Sequence, residues 1–97
     1  MIASFKDKGT EDVFDGKDTK EARKACPQSV WNVARRKLDQ INQSVSLDDS
    51  RSPPGNRLEK LSGDREGAHS VRINVKYRVC FEWIGEGAKE VEIVDYH

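Results

Sequence analysis

The chain has 97 residues, 35% of them hydrophobic, with 17 basic side chains balanced by 17 acidic ones. That length leaves room for one modest core, so the expectation is a single domain over residues 1–97, and two Trp, three Phe and two Tyr supply anchors that disordered chains lack. Neutral net charge excludes a strongly basic nucleic-acid binder, and the first apolar stretch, Met1 to Phe5, meets Lys6 too soon for a signal peptide or membrane span, so the cytoplasm is the expected location.

Met1 to Phe5 reads as a short opening strand. Residues Thr10 to Phe14 read as a brief helix that Thr10 can cap and Gly16 can end, and Gly16 to Lys24 as a polar loop. Pro27 offers a first helical position, after which Val30, Ala34, Leu38, Ile41 and Val45 recur at helical spacing. This predicts a long helix over about 27–44 whose other side, with Asn32, Arg35, Arg36, Asp39 and Gln43, is solvated. Ser46 to Asp49 suggests a capped turn before Ser52-Pro53-Pro54-Gly55-Asn56 interrupts regular structure.

Beyond Asn56 the pattern changes to alternation. Leu58 and Leu61 belong to a short run that Ser62-Gly63-Asp64 ends; Val71, Ile73 and Val75 form one alternating set, and Val79, Phe81 and Trp83 another. Gly85-Glu86-Gly87 is a turn, and Val91 to Tyr96 is a final strand. Helices followed by an antiparallel meander imply an α+β fold in which the N-terminal strand and helices pack on a curved sheet. If the odd positions of 71–75 and 79–83 face the helix, then Arg72, Asn74, Arg78, Cys80 and Glu82 share an open polar face.

Charge is unevenly spread along this half of the chain. Between Arg51 and Arg78 lie Arg51, Arg57, Lys60, Arg65, Arg72, Lys76 and Arg78 against Glu59, Asp64 and Glu66, a pattern open to either a phosphate-binding stripe or ordinary mixed surface charge. Cys26 and Cys80 lack the spacing of a metal or redox pair and are expected to be reduced. Nucleotide-binding glycine loops, nucleophile elbows and paired metal ligands are missing from the sequence, so neither metal nor cofactor is expected.

The remaining chemistry-bearing groups are Arg, Tyr, Asp and His. A metal-free ribonuclease needs a base for the ribose 2′-hydroxyl, cations for the phosphorane-like transition state and an acid for the departing 5′-oxygen. Imidazole can fill either proton-transfer role and the arginine fork suits phosphate. Asp95-Tyr96-His97 gathers three such groups at one end, although strand alternation keeps neighbours from sharing a face. A solvated terminus is the plainer alternative for His97, as a cross-strand acidic partner is for Arg72 and Arg78. His69 reads as a surface residue at a strand edge, and Glu59 as a strand carboxylate near the cleft.

Three stretches together, Arg51 to Glu59, Leu61 to Asn74 and Val91 to His97, resemble the HigB-type toxins, the plasmid maintenance system killer branch of the RelE-like toxins. The resemblance implies a ribosome-dependent mRNA endonuclease that works without cofactor or metal and is neutralised by a HigA-type antitoxin. By position it also implies His97, Arg78, Tyr96 and Asp95 as catalytic residues: His97 as general base or acid, Arg78 as transition-state cation, Asp95 as orienting or proton-shuttling carboxylate and Tyr96 as hydroxyl donor or stacking group. RNA binding would then fall to Arg51, Arg57, Lys60, Arg65, Arg72 and Lys76. The chain departs from relatives by Tyr77 in place of a tryptophan, and by Glu59 and Ser62 where some members have histidine and lysine. Those departures keep open a toxin that obstructs ribosome function or assembly without efficient cleavage.

Overall fold

A computed structural model describes residues 1–51, 54–61 and 67–95. Three helices, α1 (Lys8–Asp15), α2 (Lys20–Ala25) and α3 (Gln28–Gln43), precede a sheet of β1 (Glu59–Lys60), β2 (Ala68–Arg72), β3 (Tyr77–Ile84) and β4 (Gly87–Asp95). The strands pair antiparallel in chain order, β1-β2-β3-β4, so the expected meander is present.

Val71, Ile73, Val79 and Phe81 are buried in one core with Val13, Ala22, Trp31, Ala34, Leu38 and Ile41 of the helices. The odd positions of β2 and β3 therefore face the helices, as alternation predicts. The pattern breaks at Val75, which is 85% exposed. There the Asn74 side-chain oxygen accepts hydrogen bonds from the backbone N–H groups of Lys76 and Tyr77, making a tight side-chain-closed turn that takes Val75 out of the strand.

In β4 the alternation is shifted by a bulge. Cys80 pairs with Glu92 and Glu82 with Lys89, so Glu90 and Val91 together oppose Phe81. Glu90 takes a positive φ of 54° as the extra residue, which lets Ala88, Val91 and Ile93 all reach the core although three positions separate the first two. The strand also begins at Gly87, earlier than the expected Val91.

The same bulge changes the N-terminal segment, for which a strand is expected. Ile2 and Phe5 form only isolated parallel bridges, with Ala88 and Val91, because partners three residues apart cannot continue a ladder of period two. Hydrogen bonds from Ala3 N to Ala88 O (2.6 Å) and from Lys6 N to Val91 O (2.9 Å) still cover this edge of the sheet.

The helical layer differs from expectation at its start. Asp7, not Thr10, caps α1, its carboxylate accepting from Thr10 N at 2.7 Å. The Thr10 hydroxyl instead accepts from Ile93 N at 3.0 Å and ties the helix to β4. Gly16 ends α1 in the left-handed conformation, as expected. Where a loop is expected, Thr19 caps the six-residue α2, accepting from Ala22 N while donating to Asp12 Oδ2 at 2.6 Å. A helix that short has too few turns to show an apolar period. At Gly9 a Cβ would collide with the backbone oxygen of Glu21, so the approach of α1 to α2 requires glycine.

In α3, Pro27 stands at the cap position and Trp31 joins Ala34, Leu38 and Ile41 on the buried side. The stripe stops at Ile41: Ser44 ends the helix, and Val45 is 68% exposed. Arg35, expected in solvent, is half-buried and donates from Nε to Val13 O at 3.1 Å. The turn after α3 is the 3-10 segment Leu47–Arg51, its start held by Asp49, whose carboxylate accepts from Val45 N and Ser46 N.

Asp12 is the charged group most deeply placed in this layer, 1% exposed and paired with Lys8 Nζ at 2.9 Å. The Thr19 hydroxyl, then the Lys8 ammonium, hold its carboxyl below the usual carboxylate value. The folded chain thus binds fewer protons here than the unfolded chain, and the stabilisation is lost as pH falls through the lowered folded value. In urea titrations from neutral pH to below about pH 4, the wild type is expected to weaken more steeply towards acid than Asp12→Asn. Parallel curves would remove Asp12 as the source.

Candidate functional site

The sheet face away from the core carries the even positions of β2 and β3, and it is less open than alternation alone suggests. Ser70, Arg78 and Cys80 are all buried there, at 0, 7 and 1% exposure. The chain passes from the 3-10 turn Pro54–Asn56 to β1, and between them the Arg57 carbonyl accepts from Arg78 Nη2. Arg72 and Glu82 are half-buried and Asn74 is exposed.

At one end of this face lies a cleft of about 290 Å³ lined by Arg57, Glu59, Arg72, Asn74, Val75 and Arg78. Arg72 and Arg78 are direct cross-strand partners. Arg78 Nε donates to Ser70 Oγ at 2.7 Å, and Nη2 donates to Arg57 O at 2.6 Å and Ser70 O at 3.3 Å. Its Nη1 stands 3.9 Å from a carboxylate oxygen of Glu59, whose side chain is half-exposed. Arg57 has a left-handed backbone, φ 46°. Three arginines and one carboxylate line this cleft, a residue set whose guanidinium forks suit an anion with several oxygens.

The other residues expected at the site are distributed more widely. Arg51 lies in the 3-10 turn after α3, with Nε 3.0 Å from Asp48. Lys60 pairs across to His69 rather than Ser70, so it alternates away from Glu59 and its cleft. Lys76, at the β2–β3 turn, reaches Asp95 at 3.6 Å and lies over the Tyr77 ring. Asp95 pairs with Tyr77 while Arg78 pairs with Val94, so Asp95 lines a different groove of about 460 Å³ with Asp7, Lys8, Glu21, Lys24 and Tyr77. Arg65, Tyr96 and His97 lie outside the described residues, as does the Ser62-Gly63-Asp64 turn.

Glu92 pairs with Lys6 at 3.5 Å, and Glu82 with Lys89 at 3.9 Å, so the cross-strand acid at Arg78 is Glu59 instead. His69, expected at the surface, is half-buried and stacks on Phe81 at 6.3 Å between centroids. Burial, with Lys60 nearby, holds its pKa below the ordinary imidazole value. Cys26 and Cys80 are both free and buried, and burial pushes the Cys26 thiol up to about 11. Among the described residues no group of three His, Cys, Asp or Glu converges as metal ligands would, and no helix is long and apolar enough to cross a membrane.

Sequence reasoning did not assign Ser70 a part in this arrangement. Its alternation with Arg72 put it on the same face, but its contact with Arg78 depends on the diagonal register of β2 and β3.

The helical layer thus covers one face of the antiparallel meander, and the arginine cleft lies on the other. The same fold is found in a chain of the YoeB–YefM complex from Staphylococcus aureus, with a TM-score of 0.61 at 14% identity over 100% of this chain and 98% of that one. A family model described as the RelE-like toxin of type II toxin–antitoxin system HigB matches residues 3–97, and the chain belongs to this family. It is 39% identical to Toxin HigB-1 of Vibrio cholerae over 84 residues, 87% of this chain and 85% of that protein. It is 29% identical to Endoribonuclease HigB of Proteus vulgaris over 103 aligned residues, the full length of both. As a toxin of a type II system, the chain has an antitoxin as its partner.

Replacing Arg78 by lysine keeps the charge but loses the planar fork, leaving Ser70 Oγ and Arg57 O to a single ammonium. Arg78→Lys is expected to lower unfolding free energy by about 1–3 kcal/mol, the scale of a hydrogen bond to a charged group. An unchanged urea midpoint would show that these bonds contribute nothing to stability.

Proposed function

We propose that this toxin is an endoribonuclease that cuts mRNA on the ribosome, in the cytoplasm, and that a HigA-type antitoxin neutralises it. The observation that carries the reading is the cleft of about 290 Å³ that Arg57, Arg72 and Arg78 line together. Similarity over its whole length to a protein named Endoribonuclease HigB supports the same chemistry.

The reaction is metal-independent transfer within the RNA. The ribose 2′-oxygen loses its proton to a base and attacks the adjacent phosphorus; the bond from phosphorus to the 5′-oxygen breaks, and an acid protonates that oxygen, leaving a 2′,3′-cyclic phosphate and a 5′-hydroxyl. Arg78 stabilises the charge that builds on the phosphoryl oxygens, and Arg57 and Arg72 hold the neighbouring phosphates. His97 is the proton-transfer group, with Tyr96 as hydroxyl donor or stacking group. Asp95, paired with Lys76 on the helix-side groove, acts on the orientation of the chain end that follows it. Arg51, Lys60, Arg65 and Lys76 supply outer phosphate contacts.

A second reading is favoured by Glu59. A half-exposed carboxylate in the cleft repels an incoming phosphate and occupies the position where some relatives carry histidine. In that reading the same basic face obstructs the ribosome without cutting.

Primer extension on a defined mRNA, translated by purified ribosomes with chelator present, separates these readings. Wild type is expected to give new 5′ ends at A-site codons, and a chain lacking His97 to bind ribosomes but give none. Stable binding without cuts by the wild type would select the obstructing toxin. Because phosphate contacts release counterions, ribosome affinity should fall steeply with salt; a salt-independent dissociation constant would remove the cleft from binding in either reading.

A further inference from the structure

An arginine directly opposite another arginine across a sheet is repelled by it, and a free arginine side chain samples many rotamers. Arg72 and Arg78 stand in that relation, yet Arg78 is 7% exposed with a defined set of acceptors. The acceptors come from a diagonal neighbour and a strained turn. Ser70 lies two residues before Arg72 on β2, within reach of a long side chain on β3, and Arg57 presents its carbonyl through a left-handed backbone that few non-glycine residues adopt.

We infer that Ser70 is a positioning residue for the cleavage reaction, holding Arg78 through its hydroxyl and carbonyl so that the guanidinium meets the scissile phosphate in one orientation. The inference rests on the endoribonuclease reading given above. Ser70 is fully buried and does not line the cleft, so it has no contact of its own with RNA there.

Three features of the geometry assign this role. Nε, the nitrogen nearest the side-chain stem, is tied to Ser70 Oγ at 2.7 Å, which sets the rotation of the guanidinium plane. Nη2 is held by Arg57 O at 2.6 Å and Ser70 O at 3.3 Å, on the protein side of the group. Nη1 is thereby directed towards Glu59 and the cleft. Ser70 also stands in the cross-strand column of Glu59 and Cys80, so one residue adjoins both the cation and the carboxylate that borders it. A cation aimed before substrate arrives loses little entropy when charge develops.

The test is single-turnover cleavage of ribosome-bound mRNA with wild type, Ser70→Ala, Arg78→Ala and the double variant, alongside ribosome affinity and thermal unfolding. Ser70→Ala is expected to cut roughly tenfold to a hundredfold more slowly, the range of one hydrogen bond to a charged group. Ribosome affinity should change less than about twofold, since the charge remains. Adding Ser70→Ala to Arg78→Ala should slow cleavage no further, because the serine acts only through the arginine.

A purely structural serine would give the same loss with and without Arg78, and that additive result overturns the inference, as does a Ser70→Ala chain that cuts at the wild-type rate. If Ser70→Ala does not fold, Ser70→Cys keeps the volume with a weaker acceptor; the same slowing and non-additivity support the role, and wild-type cleavage overturns it. A wild type that binds ribosomes and never cuts overturns the endoribonuclease reading itself, and the positioning role with it.

Discussion

Strand β3 is hydrogen-bonded on both sides, and the rest of the molecule is arranged around what that alternation demands. Val79 and Phe81 enter the apolar core while Arg78 and Cys80 are carried to the other face. Each residue has only one face available, so the strand that anchors the core also delivers the cation of the cleft. Burying a guanidinium on that face is tolerable only because oxygen acceptors surround it. Ser70 and the Arg57 carbonyl supply them, which joins the register of β2 and the backbone of the edge connection to one functional group.

The helical layer answers to the same sheet. Thr10 spends its hydroxyl on Ile93 N rather than on its own helix, and Asp7 takes over the cap. Asp12 and Thr19 then lock α1 to α2 across a contact close enough to require Gly9. The bulge at Glu90 lets β4 present Ala88, Val91 and Ile93 to the helices while its outer edge receives the N-terminal segment.

Tyr77 packs its aromatic body against the core beside Lys76. Glu59 is different, because it sits in the cleft and faces Arg78. Its carboxylate balances part of the local positive charge in a chain whose net charge is zero. Cleft electrostatics are therefore mixed, with the Glu59 carboxylate 3.9 Å from the Arg78 guanidinium.

The sequence by itself determined the α+β class, the long helix α3, the meander and the face on which Arg72 and Arg78 stand, because helix and strand periods are local properties of side-chain spacing. It also marked Gly16 as a helix end, since a left-handed terminus favours glycine whatever surrounds it. Only the tertiary structure decided the short α2, the bulge at Glu90 and the use of the Thr10 hydroxyl on Ile93 in place of a cap, for each depends on a partner distant in the chain or on a helix too short to show a period. The site followed the same division. Arginine on one strand face was legible, but the gathering of Arg57 with Arg72 and Arg78, the departure of Lys60 and Asp95 from that cleft, and the grip of Ser70 on Arg78 were set by strand register and by a backbone turn, which no spacing in the sequence encodes.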